Sequence, residues 1–175
     1  MARAFVSMGS NIDPETNVRS ALRLLKQQVT IRQISTVLRT EPIGPPGQPP
    51  YYNCVVGVET DLAPVIFKQN VLRRIEAALG RTRTADKYAP RTIDLDLLLY
   101  GDVVMKTDEL VLPDPDIAAR PFLAALLREL APGLVTPGTG VTIGDVASPL
   151  SSDAMKPLER FTKLLRKDIL HERKP

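Results

Sequence analysis

The segment KYAPRTIDLDLLLYG, residues 87–101, places two aspartates inside an apolar run. Successive side chains of a β-strand point to opposite faces, so Asp94 and Asp96 share one face while their apolar neighbours share the other. The apolar row is expected to face the core, and the two acids are expected to face a polar site. Carboxylates roughly 7 Å apart along a strand repel each other when they are partly desolvated. A hard divalent cation such as Mg²⁺, which prefers oxygen ligands, would relieve that repulsion.

Basic residues precede this acid pair. Arg91 lies just upstream of Asp94, and Arg81, Arg83 and Lys87 come before it. Because arginine binds phosphate oxygens in a bidentate fork, the segment predicts a site where a cation and a phosphate chain meet. The alternative is an edge strand with a solvated acidic face, whose charges the nearby arginines neutralise.

The chain offers few other catalytic groups. Its one histidine is His171 and its one cysteine is Cys54, which excludes a Ser/His/Asp triad, a His/Cys zinc cluster and an intramolecular disulfide. Cys54 lies in an apolar row and is predicted to be a buried thiol. Phosphoryl-type transfer needs no histidine, because positioning and electrostatic stabilisation supply most of the catalysis. The absence of a Gly-x-x-x-x-Gly-Lys-Ser/Thr motif excludes a P-loop kinase.

Length and charge restrict the class of protein further. The 175 residues, 43% of them hydrophobic, suit one domain with a proper core. No apolar stretch approaches the roughly 20 residues that cross a bilayer, and no signal peptide is recognisable, so we expect a cytoplasmic protein that does not bind membranes. Residues 156–175 carry seven Lys and Arg against three acids, which leaves −1 for the rest of a chain whose net charge is +3. This near-neutral body argues against nucleic-acid binding, including the RNA binding of many ferredoxin-like sheets.

Hydrophobic periodicity predicts alternating strands and helices. Strands are expected over residues 3–8, 31–38, 51–59 and the acidic segment, and helices from Pro14 (capped by Asp13), over 64–79 and over 121–130. The helix over 64–79 is expected to bury Phe67, Val71, Ile75, Ala78 and Leu79. Turns or loops are expected at Gly9-Ser10-Asn11, at 44–50 and at 132–140. This order is typical of an α+β fold, a ferredoxin-like α/β sandwich with helices packed on a largely antiparallel sheet.

The last part of the chain differs in composition from the rest. Residues 1–150 are predicted to form one catalytic domain, and residues 151–175 to add a linker and a basic amphipathic helix. The linker composition covers residues 146–157. The helix carries an apolar stripe that consists of Leu158, Phe161, Leu165 and Ile169. We expect it to dock on the body of a monomer or on a neighbouring copy in a dimer, and the alternative is a helix that binds a membrane surface or a partner.

Taken together, these residues resemble the 6-hydroxymethyl-7,8-dihydropterin pyrophosphokinases of folate biosynthesis. The family signature is matched by Lys87, Ala89, Pro90, Arg91, Asp94, Leu95, Asp96, Leu97 and Leu98. Further landmarks agree in order and spacing: Gly9-Ser10-Asn11, Arg39-Thr40, Pro42, Gly44, Gln48-Pro49, Tyr51, Asn53, Gly80-Arg81, Arg120 and Phe122. The resemblance covers residues 1 to about 145.

The resemblance implies transfer of the pyrophosphoryl group of ATP to the hydroxymethyl group of 6-hydroxymethyl-7,8-dihydropterin, which gives AMP and the pterin diphosphate. It implies that Asp94 and Asp96 hold two Mg²⁺ ions and that Arg81 and Arg91 act in catalysis on the phosphates. The pterin-binding residues it implies are Thr40, Ile43, Tyr51, Asn53 and Phe122. The ATP-binding residues it implies are Glu76, Arg83, Arg91, Leu97, Asp114 and Arg120.

The resemblance also has consequences for loops and for nucleotide affinity. The loops at 44–50 and 81–91 are expected to close over the substrates and exclude water. Asp114 stands where the family commonly has a histidine, and Glu109 where a basic residue is frequent. An acid at these positions removes a phosphate donor and adds repulsion, which implies weaker ATP affinity or a rearranged nucleotide site. A relative that binds its ligands without turnover is the competing interpretation.

Overall fold

The computed structural model describes residues 1–146 and 155–171. Its strands are β1 (Ala2–Ser10), β2 (Thr30–Ile34), β3 (Leu38–Thr40), β4 (Tyr51–Thr60), β5 (Asp94–Tyr100), β6 (Met105–Lys106), β7 (Val111–Leu112) and β8 (Met155–Pro157). Its helices are α1 (Pro14–Gln28), α2 (Pro64–Ile66), α3 (Arg73–Ala78), α4 (Asp116–Ala119), α5 (Pro121–Leu130), α6 (Ile143–Val146) and α7 (Glu159–Leu170). A π-helical segment, Phe67–Leu72, joins α2 to α3.

The central sheet has six strands within the described ranges, in the order β5-β1-β4-β3-β8, and β2 also pairs with β4. Each of these pairs is antiparallel. Both helical connections, from β1 to β2 and from β4 to β5, skip a neighbouring strand, as the ferredoxin-like plan requires. The predicted α+β sandwich is therefore confirmed. Strands β6 and β7 form a separate hairpin.

Helices cover both faces of the sheet, because alternate residues of each strand point to opposite sides. One core lies between the sheet and α1, the helix that spans α2 and α3, and α7, and it includes Val6, Val56 and Leu95. The other core, with Phe5 and Val55, lies beneath α5 and α6. Helix α5 covers only part of this second face. The uncovered part holds the candidate site.

Strand β5 is an edge strand that carries the acid pair as predicted. Leu95 and Leu97 are buried in the first core, and Asp94 and Asp96 point to the opposite face. The register between β1 and β5 shifts between Phe5 and Val6, beyond the acid pair. This irregularity interrupts the strict alternation, so that Leu98 and Leu99 both enter the second core.

The helix predicted over residues 64–79 forms, but its buried face is rotated after the π-helical segment. Phe67, Val71 and Ile75 are buried as predicted, and Leu79 is partly buried against the first core. Ala78 is exposed, so the prediction for this residue was wrong. A π-turn adds a residue to the helical repeat and shifts the phase of everything that follows. As a result Glu76 turns inward and is only 2% exposed.

Two local predictions near the start of the chain were also wrong. Asp13 lies at the N-cap position of α1 but makes no side-chain capping bond, because its backbone is left-handed at φ 44° rather than extended. Strand β1 extends through Ser10, so the turn predicted at Gly9 begins only at Asn11.

The strand predicted over 31–38 is broken into β2 and β3. At the break, the Ser35 hydroxyl accepts a hydrogen bond from Val55 N at 2.8 Å and so replaces a bond of the backbone ladder. The chain can therefore turn at this point without leaving the sheet partner unsatisfied.

Helix α7 packs on the body of the same chain. Phe161, Leu165 and Ile169 are buried in the core that also receives α1. Val37 N donates to Thr162 Oγ1 at 2.9 Å, and Arg166 Nε donates to Ile34 O at 2.9 Å, so the helix satisfies the backbone at the β2–β3 break. Of the residues 146–157 assigned to a linker, Val146 ends α6, residues 155–157 form β8 beside β3, and 147–154 lie outside the described ranges.

No helix within residues 1–146 and 155–171 combines the length and the apolar character that a bilayer span requires.

If α7 belongs to the core, Leu165→Ala should destabilise the protein strongly, because the Leu165 side chain is fully buried. Deleting such a side chain costs about 2–5 kcal/mol, which corresponds to a fall of Tm by about 2–4 °C per kcal/mol. The control is Leu164→Ala on the same helix, where the side chain is 43% exposed, with an expected change below about 0.5 kcal/mol. Urea denaturation of both variants provides the measurement, and equal stabilities would show that α7 is not part of the cooperative core.

Candidate active site

An open cavity of about 490 Å³ lies over the uncovered part of the second sheet face. Its floor comes from β1, β4 and β5, and its walls come from residues of the loops at 41–50 and 81–91, the start of α5 and β8. A space of this size suits small-molecule substrates. The predicted site residues that line it are Thr40, Ile43, Tyr51, Asn53, Arg91, Asp94, Asp96, Arg120 and Phe122.

The register of the sheet brings the predicted pterin side and the acid pair together. Gly9 of β1 is paired with Asn53 of β4 on one side and with Asp94 of β5 on the other. Gly9 leaves room for its neighbour, since a Cβ atom at this position would lie 2.7 Å from Asn53 Oδ1. Gly9 thus lies between an amide that could hydrogen-bond to a heterocycle and a carboxylate that could take part in phosphate transfer.

Asp94 is held by two arginines. Arg81 Nη1 donates to Asp94 Oδ1 at 2.5 Å, and Arg91 Nη1 donates to Asp94 Oδ2 at 2.6 Å. Burial acts to raise the pKa of Asp94, but the charges and hydrogen bonds of Arg81 and Arg91 outweigh it and hold the pKa below its ordinary value. Asp94 is therefore an anion. These contacts are also those of the alternative interpretation, an edge strand whose acids are neutralised by nearby arginines.

Asp96 has a different environment. Its side chain is 37% exposed, and its Oδ1 lies 4.0 Å from Arg73 Nη2. Burial, followed by the negative charges of Asp94 and Asp114, raises the pKa of Asp96 to about 7, and Arg73 opposes the shift. A bound cation would therefore stabilise the ionised form of Asp96 more than that of Asp94, which already has two arginine partners.

Glu76 does not line the cavity, and its carboxylate is occupied by protein groups. Arg73 and Arg83 donate to Oε2 at 2.7 and 3.1 Å, and Arg81 donates to Oε1 at 2.5 Å. The backbone N of Leu95 donates to Oε1 at 2.8 Å. Glu76 thus positions arginines and strand β5, and its predicted contact with ATP does not agree with this arrangement.

The loops that flank the cavity contact each other. Gln48 Nε2 donates to Tyr88 O, and a Cβ atom on Gly44 would meet the Tyr88 ring at 2.6 Å. Gly44 has φ of 128°, a conformation that favours glycine. Asn11 joins the loops to β1, because its Oδ1 accepts from Arg91 N at 2.7 Å. The two loops predicted to close over substrates therefore already touch.

The predicted pterin residues all line the cavity. Asn53 Nδ2 donates to Thr40 Oγ1 at 2.7 Å, which fixes the orientation of the amide. Tyr51 and Phe122 contribute aromatic rings to the lining, and Ile43, which is 71% exposed, lies at the rim. The aromatic and polar mixture suits a flat heteroaromatic ring.

The remaining predicted ATP residues are scattered. Arg83 is 60% exposed and does not line the cavity, and Arg120, which lines it, pairs with Asp116 at 3.3 Å. Asp114 Oδ1 accepts from Asp116 N at 2.8 Å at the start of α4. The Leu97 side chain is buried in the first core, so only its backbone on the edge strand is available to a nucleotide.

Sequence reasoning missed several residues at the site. Ser7, Asp116 and Met155 line the cavity, and Arg73 approaches Asp96 from α3. Ser7 could have been found from its alternation with Gly9 on β1. Met155 lies in a segment of linker composition that carries no such signal.

Comparison with known proteins identifies the family that the chain resembles. The model of the family described as 7,8-dihydro-6-hydroxymethylpterin-pyrophosphokinase matches residues 5–132. The 2-amino-4-hydroxy-6-hydroxymethyldihydropteridine pyrophosphokinase of Haemophilus influenzae is 34% identical over 144 residues, which cover 81% of this chain and 89% of the relative. The enzyme of the same name from Bacillus subtilis is 38% identical over 130 residues, 73% of this chain and 77% of the relative.

Solved structures resemble the chain in fold. The wild-type HPPK-DHPS protein of Plasmodium falciparum superposes with a TM-score of 0.66 at 13% identity, over 83% of this chain and 44% of that protein. The same protein with pterin and p-hydroxybenzoate gives a TM-score of 0.65 at 14% identity, over 83% of this chain and 42% of that one. The chain thus spans less than half of these larger proteins. The match of the family model over most of the fold, together with the curated relatives, shows that this chain belongs to the 7,8-dihydro-6-hydroxymethylpterin-pyrophosphokinase family.

Proposed function

We propose that the cavity residues carry out the family reaction, with the dihydropterin at the Asn53 end and the phosphates of ATP at the acid pair. As a member of the family, the chain transfers the pyrophosphoryl group of ATP to hydroxymethyldihydropterin in folate synthesis. The hydroxymethyl oxygen loses its proton to water and bonds to the β-phosphorus of ATP, the bond from that phosphorus to the α-phosphate oxygen breaks, and AMP leaves. The observation that carries the arrangement is the row of Asn53, Gly9 and Asp94 across three adjacent strands.

The pterin subsite is proposed to recognise the polar edge of a flat ring through hydrogen bonds. Tyr51 and Phe122 enclose the ring, and Asn53 presents its amide to the polar edge. Because Asn53 Nδ2 already donates to Thr40, the amide oxygen is the group left to accept from a ring N–H or amino group. Thr40 acts mainly by fixing this orientation, and backbone groups near Ile43 add further hydrogen bonds.

The acid pair is proposed to hold two Mg²⁺ ions. The residues fit such ions, because Asp96 is partly exposed, weakly paired and raised in pKa by surrounding negative charge. The described residues hold no group of three or more His, Cys, Asp or Glu side chains suited to a metal, and Mg²⁺ commonly takes one or two carboxylates together with substrate phosphates. Bound there, the ions would neutralise phosphate charge and lower the pKa of the attacking hydroxyl.

The arginines are proposed to exchange partners when ATP binds. Arg81 and Arg91 now donate to Asp94, and phosphate oxygens would compete for the same guanidinium groups. Glu76 keeps Arg81 and Arg83 close to the site during this exchange. Arg83 and Arg120 are proposed to contact the nucleotide, Leu97 to do so through its backbone, and Asp114 to weaken ATP binding by repulsion.

The setting of the reaction is also proposed. The protein is proposed to act in the cytoplasm as a monomer. The monomer is supported by α7, which buries its apolar stripe against its own chain and leaves Leu164 as its exposed large apolar side chain. Neither nucleic acid nor membrane is proposed as a partner, because the excess positive charge belongs to residues 156–175 and the remainder is close to neutral.

Asp96→Ala should lower pterin-dependent AMP release from Mg·ATP at least about a hundredfold, because removing a preorganised electrostatic group at a phosphoryl-transfer site costs at least that much. The fold should persist, as the side chain is partly exposed. The control is Asp102→Ala, an exposed acid in the turn after β5, with expected wild-type activity. Full activity of Asp96→Ala would contradict the assignment of Asp96 as a metal ligand. Absence of AMP from the wild type would favour the interpretation that the protein binds its ligands without turnover.

Asp96→Asn should stabilise the metal-free protein at high pH. The folded pKa of about 7 lies above the unfolded value of about 3.9, so the native state favours the protonated form and loses stability as pH rises from about 4 to 7. Allowing for solvent screening, the variant should gain about 1 kcal/mol at pH 8 and almost nothing at pH 4. Thermal denaturation with EDTA at both pH values tests this, and equal shifts at both would contradict it.

Gly9→Ala should raise the KM for the dihydropterin about tenfold, the equivalent of one lost hydrogen bond, because its methyl group would displace the Asn53 amide. The KM for ATP should change less. Gly57→Ala provides the control: it also adds a methyl group to a strand glycine, but against Gln33 and away from the cavity. Steady-state kinetics with each substrate varied would detect the difference, and equal effects of the two variants would contradict the assigned role of Asn53.

A further inference from the structure

Strand β8 completes the sheet from outside the region that defines the family. It lies beyond residues 5–132, to which the family model aligns, yet it hydrogen-bonds to β3 with Met155 opposite Thr40 and Pro157 opposite Leu38. Without β8, β3 would form the edge of the sheet. A segment of linker composition therefore supports the strand that carries Thr40.

The side chain of Met155 belongs to the cavity wall. Directly opposed residues of an antiparallel pair project to the same face, and both Thr40 and Met155 line the cavity. Met155 is partly buried and packs against the second core, so one side of it is held by the protein. The other side faces the space beside Thr40, which holds the Asn53 amide.

A methionine at this position suits a flat aromatic ligand. Its unbranched thioether adapts to the shape of its neighbour and makes favourable contacts with the edges of aromatic rings. Tyr51 and Phe122 supply rigid rings to the same cavity, and Ile43 at its rim is 71% exposed. Met155 would then close the side of the subsite that these residues leave open.

The position of Met155 is fixed by the helix that follows it. Leu158 N donates to Val37 O at 2.8 Å, immediately after β8. Val37 N in turn donates to Thr162 Oγ1 at 2.9 Å on α7, and the buried Phe161 anchors the same turn of the helix. Met155 therefore lies in a hydrogen-bonded strand whose position the packing of α7 fixes.

We propose that Met155 is a substrate-binding residue that forms the wall of the dihydropterin subsite beside Thr40. The inference rests on the proposed function, which places the dihydropterin at the Asn53 end of the cavity. It adds a contact from the C-terminal segment to a site otherwise built from residues of the matched region.

The test compares Met155→Ala with Lys156→Ala, whose exposed side chain lies on the opposite face of the same strand. Binding of 6-hydroxymethylpterin is followed by its fluorescence, with Mg²⁺ and α,β-methylene-ATP present. Met155→Ala should raise the pterin Kd about 5- to 20-fold, as expected for a lost apolar contact, and leave the nucleotide Kd within about twofold. Met155→Leu should restore most of the affinity, and Lys156→Ala should match the wild type.

A pterin Kd for Met155→Ala within twofold of the wild type would overturn the inference and leave the proposed function intact. A wild-type protein that neither binds the pterin nor releases pterin-dependent AMP would instead overturn the proposed function, and the inference with it. A second measurement needs no variant: adding the pterin to the nucleotide complex should slow peroxide oxidation of Met155, read by mass spectrometry, relative to Met1, which is 77% exposed. Unchanged oxidation of Met155 would equally overturn the inference.

Discussion

The buried carboxylate of Glu76 connects the parts of the molecule on which the site depends. It receives hydrogen bonds from Arg73, Arg81 and Arg83, and from the backbone N of Leu95 on the acidic strand. A carboxylate that is 2% exposed would be costly without such partners, because removing a charge from water costs several kcal/mol unless it is paired. Helix α3, strand β5 and the arginines are therefore held together by one requirement, the compensation of this charge.

The same requirement separates the roles of the two aspartates. Arg81 is shared between Glu76 and Asp94, so Asp94 stays ionised and paired. Asp96 lies two residues further along, and within residues 1–146 and 155–171 the guanidinium that pairs with it is the distant one of Arg73, at 4.0 Å. Two identical side chains on one face of a strand thus differ in proton affinity, and the difference follows from where the guanidinium groups are anchored rather than from the strand itself.

Much of the fold and part of the site could be predicted because the signals are local. Alternation along residues 94–97 places the acids correctly, since strand geometry alone determines it. The inward rotation of Glu76 could not be predicted, because it depends on a π-turn for which the residue types of Phe67–Leu72 give no recognisable signal. Met155 was missed for a related reason: its place in the cavity depends on pairing with Thr40, a contact between distant parts of the chain.

The pairing of β3 with β8 has a consequence for the synthesis of the protein. Residues 155–157 are made after every other strand of the sheet, and translation proceeds at about 5–20 residues per second. For some seconds the nascent chain would hold the acid pair and the aromatic residues while β3 is still unpaired on its outer side. During that interval an exposed strand edge is open to other chains, so the period in which the sheet is vulnerable to misassembly ends only when β8 has been made and has paired with β3.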